Sequence, residues 1–392
     1  MIDRHSAGLL PDKPHTAYRT PAGGILYEEM HTRAGFGGAF SYFYHRFPVG
    51  AHREVGIAHR GWPANERDPA GPSPLRRRLY LSDRVAAQGM VVDRRLPLLF
   101  NEHVTILLAH ASVTDDVYFA NGDGDELWFV RGGRARLESP CGWLDAGPGD
   151  YVWIPRSLVH RWHVLEGPLA MLCYEVRGGV SIPAAYRNAV GQLRMDAPYT
   201  HRDFVRPVGP IATLDAALEG PRDLVVKKRG TFSRYALETP AMDVVGWEGF
   251  VYPVAFPIER FAPRTGLVHL PPTVHATFEG PGVLVCSFVP RALDTHPQAI
   301  PCPYPHSSVD CDEVILYLRG SFTSRRGVGR GAISLHPAGI VHGPHPGAYE
   351  ESIGSRRTEE LAVMCDTFAP LSPTAQAAQL EERGYHETWL AR

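Results

Sequence analysis

The sequence predicts an all-β protein made of two jelly-roll barrels with few short helices. Three observations predict it. Gly 39 and Pro 35 together make close to a fifth of the 392 residues, without low-complexity repeats, which implies many turns. Strand-like runs of four to seven residues recur between those turns. One strand–turn–strand unit occurs twice, as DELWFVRGGRARLES and as DEVILYLRGSFTSRR. Each copy reaches a histidine about thirty residues further on, His160 in IPRSLVH and His342 in HPAGIVH. A duplicated unit returning to a histidine at one distance is what a bicupin shows.

The elements follow in order. ELWFV (126–130) leads to the turn Arg131–Gly132–Gly133, and RARLE (134–138) alternates after it. PGD (148–150) precedes YVWIP (151–155), and later come VLVCSFV (283–289), VILYL (314–318) and AISL (332–335). Two stretches read as helix: TLDAALE (213–219), stopped by Gly220 and Pro221, and the run from Ser372, with Ser372 as cap, Pro373 at the first turn and Gly384 as stop. Residues 198–221, rich in Pro, Gly, Asp and Arg, read as a linker. The expected division is therefore an N-terminal β domain over 1–205 holding a metal-free cupin-like barrel, a C-terminal cupin-like catalytic domain over 206–371, and a C-terminal helix over 372–392.

Composition excludes several classes. Lys+Arg 40 against Asp+Glu 42 gives a net charge of −2, not the basic balance a nucleic-acid protein needs. No apolar run approaches the roughly 20 residues of a membrane-spanning helix, and MIDRHSAGLLPDKPH lacks the apolar core of a signal peptide. A cytoplasmic protein is expected. Its six cysteines form no CxxC pair and are too sparse for a disulfide scaffold. Cys173, Cys286 and Cys365 lie in apolar runs, where a thiol acts as a small hydrophobe. The basic runs Lys227–Lys228–Arg229 and Arg76–Arg77–Arg78 read as solvated loops or subunit contacts, and Trp247 as a core or pocket-wall aromatic.

Histidine is abundant, at 19, and eight of these fall in the last third. His306, Glu313 and His342 have the residue types of a non-haem iron site, where two imidazoles and a carboxylate leave positions open for substrate and dioxygen. Without thiolates, a soft-metal site is disfavoured. The bland alternative is a pair of loop histidines and a solvated glutamate. In the first copy the acid pair is Asp125–Glu126 and immediately upstream lies only NGDG, with no histidine ligand, so that barrel reads as metal-free, with His160 and His163 structural or interfacial.

Longer segments carry a family resemblance. GLVHLPPTVHATF, FVPRALDTHPQAIPCPYPHSSVDCDEVILYLRG, GAISLHPAGIVHGPHPGA and ELAVMCDTFAPL resemble homogentisate 1,2-dioxygenase, as does MDVVGWEGFVYP (242–253). The likeness is dense over about 240–370 and thinner in NEHVTI, NGDGDELWFVRGG and PGDYVWIPRSLVHRW. The resemblance implies a bicupin-like fold, one Fe(II) per subunit, and opening of a small aromatic acid, homogentisate, by O2 to maleylacetoacetate in aromatic amino-acid catabolism. It also implies a homo-oligomer, trimer or hexamer. Its iron ligands match His306, Glu313 and His342, its general-base histidine matches His269, and a second pocket histidine matches His336. His275, in the same segment as His269, is the competitor for the base.

One position departs from the family. Two residues beyond Gly320 the family usually has a substrate-contacting tyrosine, and here stands Phe322. Loss of the hydroxyl implies either a changed substrate or a polar contact supplied by Tyr304 or His336. The rivals are the same chemistry on a gentisate-like hydroxylated aromatic acid, a zinc cupin isomerase, and a ligand-binding bicupin without chemistry. Arg46, near the aromatic run FSYFYH, is a candidate cation for a substrate carboxylate.

Overall fold

The computed structural model describes residues 2–58, 67, 69–320, 325 and 328–390. Among them the regular structure is almost entirely strand, with one five-residue α-helix, Ala348–Ser352, and short 3-10 turns. Two cupin-like barrels make up most of the chain.

The first barrel is built on an eight-stranded sheet. Its order runs Val254–Pro257, Asp150–Ile154, Asp125–Ser139, Arg161–Val176, Val104–Ala111, Arg95–Phe100 and Ser372–Pro373, with Gly142–Ala146 as a further partner of Asp125–Ser139. A four-stranded sheet faces it: His52–Ile57, Thr231–Leu237, Asp223–Lys228 and Tyr118–Asn121. The second barrel has a six-stranded sheet in the order Ala276–Gly280, Val283–Phe288, Leu361–Thr367, Asp312–Arg319, Ala332–His336, Arg78–Leu81. A fourth sheet pairs His5–Gly8, Val244–Gly249, Phe40–His45 and Tyr27–Thr32 in that order.

One hydrophobic core runs through both barrels. Tyr151 of the first packs edge-on against Phe278 of the second, with centroids 5.3 Å apart, and its hydroxyl shares a hydrogen bond with Ser287 at 2.8 Å. Trp247 is a core residue, fully buried, with its Nε1–H donated to the Cys141 carbonyl at 2.8 Å.

The barrels exchange strands, so a cut between 205 and 206 does not separate them. Val254–Pro257 belongs to the first barrel's sheet, and Arg78–Leu81 edges the second beside Ala332–His336. Residues 198–221 are not a free linker either. Val205 bridges to Ala255 and Val208 to Trp143, which ties the segment to the first barrel.

Both expected helices are absent. In 213–219 the Arg46 guanidinium takes the carbonyls of Thr213 and Ala216, at 3.2 and 2.6 Å, and seven residues are too few to nucleate a helix alone. Arg46 is thereby tied to this segment. The C-terminal run begins as strand, Ser372 pairing with Phe100 and Pro373 with Leu99. It continues only as the 3-10 turns Ala377–Gln379 and Tyr385–Trp389. Packing wins over helical propensity here, because Ala377, Leu380 and Tyr385 are buried and Glu381 is held by Arg76 and Arg78 at 3.0 and 2.6 Å.

Those arginines are therefore not a solvated run, and Arg77 lies over the Trp389 ring at 4.5 Å. The second basic run is likewise corrected. Lys227 is buried and paired with Glu175 at 2.6 Å, because its strand runs parallel to Tyr118–Asn121 inside the barrel wall. The expected turn at 131–133 is a bulge within the continuous strand Asp125–Ser139. Gly133 sits there at φ +75°, and a Cβ would lie 2.6 Å from the Pro168 carbonyl oxygen.

Candidate metal centre

Each repeat opens with an Asp-Glu pair whose members point to opposite faces of the strand. Asp312 ties down loops, accepting the Ala338 N–H at 2.7 Å and the Leu371 N–H at 2.8 Å. Asp125 does the same in the first barrel with the N–H groups of Arg156 and Val180, both at 2.9 Å. Glu313 and Glu126 are left to face their barrel interiors.

The histidine at the end of each repeat is also set the same way. Gly339 (φ +84°) and Ser157 (φ +63°) both take the left-handed conformation three residues before it, a conformation natural to glycine and uncommon for serine. The His342 Nδ1–H then donates to the Ile340 carbonyl at 3.1 Å, and the His160 Nδ1–H to the Leu158 carbonyl at 2.9 Å. His306 makes the matching bond to the Tyr304 carbonyl at 3.0 Å. An imidazole protonated at Nδ1 presents Nε2 as a lone pair, the form a metal requires.

In the second barrel those lone pairs converge. His306 and His342 are joined by two backbone hydrogen bonds of 2.8 Å, and their ring centroids lie 4.3 Å apart. With Glu313 they form a group in which one ligand atom from each residue lies within 4.8 Å of the others. The His342 Nε2 is buried without a protein hydrogen-bond partner, an orphan that a bound cation would satisfy. Two imidazole nitrogens and one carboxylate fit a divalent first-row metal with positions left open.

His336 does not face the substrate side as expected. It is fully buried behind the carboxylate, directly across the sheet from Glu313, and its Nδ1–H donates to Glu313 Oε1 at 2.6 Å. Burial and the nearby Arg325 charge hold its pKa down at about 4, so it is neutral at pH 7. Its Nε2 lies 3.4 Å from the Tyr385 hydroxyl. Burial pushes the Glu313 pKa up, but the His336 hydrogen bond comes next and, with the favourable electrostatics of His336, His342 and the Arg325 guanidinium, outweighs it and holds the carboxyl at about 2. Glu313 is thus ionised and held in one orientation, as a carboxylate ligand needs to be.

A cavity opens on this centre. Its walls include His306 and Glu313 with His269, His275, Arg291, Arg325 and Glu360, and the apolar Leu270, Phe288, Ile315 and Met364. His269 lies 3.8 Å from Asp294, and burial lowers its pKa even though Asp294 pulls the other way. His275 is more buried, and its pKa is lowered to about 3 by burial first and Arg291 second. Tyr304 is half exposed and stands edge-on to the His269 ring at 5.1 Å, outside the cavity lining. Phe322 lies outside the described residues.

Sequence reasoning missed Arg291, Arg325, Glu360 and Tyr385. Arg325 is buried 4.0 Å from Glu313, donates to the Gly343 carbonyl and lies over the Trp389 ring. Only the FVPRAL segment carried a signal, since an arginine closing an apolar strand has its charge brought to the barrel mouth.

The first barrel holds a different arrangement on the equivalent positions. Arg95 contacts Glu126 at 2.6 Å and Glu175 at 3.5 Å, and Lys227 holds Glu175. Asn121 and Trp128 donate further hydrogen bonds to Glu126 at 2.8 Å each. Two built-in cations neutralise these carboxylates. His160 is fully buried 3.8 Å from Glu126, and His163 is paired with Glu138 at 2.7 Å.

Comparison with known proteins adds the following. A family profile described as "Homogentisate 1,2-dioxygenase N-terminal" matches residues 100–258. A Saccharolobus solfataricus protein named "Putative dioxygenase" is 33% identical over 392 residues, covering 99% of each chain. Homogentisate 1,2-dioxygenases of Bradyrhizobium diazoefficiens and Rhodopseudomonas palustris are 27% and 28% identical over 70% and 72% of this chain. The matched region spans only 63% and 65% of those two relatives' own length. Among solved structures, a cupin 2 conserved barrel domain protein from Leptotrichia buccalis overlaps 70% of this chain and 87% of its own, at 11% identity and a TM-score of 0.31. Among the described residues no helix is long and apolar enough to cross a membrane.

Proposed function

This chain belongs to the homogentisate 1,2-dioxygenase family, and we propose that it opens a 1,4-hydroquinone ring with O2 in a reaction dependent on Fe(II). The observation that carries this reading is the convergence of His306, Glu313 and His342 at a cavity also lined by His269. Homogentisate, which would give maleylacetoacetate, is the first substrate to test, and a gentisate-like ring is the second.

His306, Glu313 and His342 would hold the ion. Fe(II) there would supply Lewis acidity and the one-electron chemistry that lets dioxygen react with a closed-shell ring. The chain's own residues do the rest. A phenolic hydroxyl has a pKa of about 10 and must lose its proton to become electron-rich. His269 is the base: burial keeps it neutral at pH 7, so its ring can accept that proton. Leu270, Phe288, Ile315 and Met364 give the ring apolar faces to lie against and exclude water. His336 and Arg325 hold the Glu313 carboxylate ionised and in place.

The test is anaerobic loading with Fe(II), followed by oxygen uptake and ultraviolet monitoring with homogentisate and gentisate. Fe(II)-dependent uptake with ring opening of either compound supports the reading. Retention of zinc with isomerase activity, or ligand binding without oxygen uptake, would replace it with one of the non-oxidative cupin functions.

A further inference from the structure

The cavity that carries the candidate metal donors is also lined by the ion pair Arg291–Glu360. Arg291 Nη2 donates to Glu360 Oε1 at 3.1 Å, and both side chains line the cavity at 12% and 14% exposure. The pair is held from its backbone. Arg291–Ala292 is a two-residue strand paired with Arg357–Thr358, and the Thr358 hydroxyl accepts the Glu360 N–H at 3.2 Å. Arg291 Nη1 also donates to the Val289 carbonyl at 3.1 Å, and its guanidinium lies 5.6 Å from the Phe288 ring centroid.

A lone arginine in a half-dry pocket is a receptor for a carboxylate, with donors matched to two oxygens. Glu360 changes that. An incoming carboxylate meets an attractive and a repulsive unit charge at nearly the same place, so its Coulomb gain is largely cancelled while its desolvation cost remains. An uncharged group that both donates and accepts hydrogen bonds suits the pair better. It can accept from the guanidinium and donate to the carboxylate, and it gives up little hydration to enter.

We propose that the Arg291–Glu360 pair selects the ring substituent, and that the preferred substrate is a hydroquinone bearing an uncharged donor–acceptor group, such as a primary amide or hydroxymethyl, over one bearing a free carboxylate. The proposal rests on the hydroquinone dioxygenase reading and names the substrate class within it.

Binding decides it. Anaerobic Fe(II)-loaded protein is titrated by calorimetry with homogentisate and with its primary amide, alongside Glu360→Gln, which keeps the side chain's size and removes its charge. Melting curves establish that the variant is folded. The expected result is that the wild type binds the amide about tenfold or more tightly than the acid, and that Glu360→Gln shifts the ratio toward the acid by a similar factor. A wild-type ratio near one, or favouring the acid, that Glu360→Gln leaves unchanged overturns the selection while leaving the dioxygenase reading standing. Metal-loaded protein that binds neither ring overturns both. Arg291→Met, with Glu360 left unpaired, is expected to weaken the acid further than the amide, and the opposite order would count against the pair as selector.

Discussion

Glu313 and His336 face each other across adjacent antiparallel strands, joined by a 2.6 Å hydrogen bond from His336 Nδ1 to Glu313 Oε1. The bond leaves the carboxylate's second oxygen as the one not engaged by His336, and the fully buried imidazole cannot swing aside to release the first. Outer partners of this kind typically set 10–100-fold of metal affinity. His336→Ala is therefore expected to weaken Fe(II) binding by about 10–100-fold. His336→Asn, which can still donate, should recover part of it. Metal titration of the two variants checks this, and equal affinities in both and in wild type would remove His336 from the centre.

Replacing His306, Glu313 or His342 by Ala is a harsher change, because among the described residues these three make up the candidate donor group. Each variant is expected to lose iron on desalting, with metal content measured after anaerobic loading. A variant that keeps full occupancy would not have lost a ligand.

His269→Ala tests a different role. The side chain lines the cavity but is outside the three-donor group, so iron should stay while turnover falls by about 10²–10⁴-fold. The base must be unprotonated, and its folded pKa is lowered, so the acid-side loss of rate should fall below pH 6.5. A near-normal rate in His269→Ala together with a collapse in His275→Ala would move the base to His275.

Much of this was legible in the sequence. The repeated Asp-Glu and the histidine some thirty residues on mark real counterparts, down to the loop bonds of Asp125 and Asp312 and the left-handed residues 157 and 339. That His306, Glu313 and His342 come together could be read because ligand types are chemically restrictive. What could not be read depends on three-dimensional neighbours. His336 looks like any strand-end histidine until the register sets it behind Glu313. Lys227 reads as solvated until a parallel pairing carries it inside the barrel. The C-terminal run has helical residues, yet Ser372–Pro373 is captured by a sheet edge first.

The first barrel's buried charges predict a stability effect. Arg95 is the charge partner of Glu126 and also approaches Glu175, and all three are almost wholly buried. Arg95→Met would strand carboxylate charge in the core, at a cost of about 3–5 kcal/mol by urea unfolding. Adding Glu126→Gln should return part of that loss, since a neutral amide suits a neutral neighbour. Additive losses in the double variant would mean that the two side chains act independently.

A second buried group makes stability depend on pH. His45 sits between Asp243 at 2.6 Å and Glu29 at 3.0 Å, one carboxylate on each ring nitrogen. Burial opposes its charge, but the two hydrogen-bonded carboxylates override that and raise its pKa to about 9. The unfolded chain's histidine titrates near 6.5, so between these values the folded state holds a proton that the unfolded state has lost. The stabilisation is thus fully present below about pH 6.5 and drains away as pH rises through 9, by about 3 kcal/mol in all. Chemical denaturation at pH 6 and pH 9.5 should show this fall in the wild type. His45→Gln keeps a hydrogen-bonding side chain and cannot carry the charge, so it should be less stable at pH 6 and converge on the wild type at pH 9.5. Parallel curves for the two proteins across that range would mean that His45 is neutral in the folded protein and that its carboxylates are neutralised elsewhere.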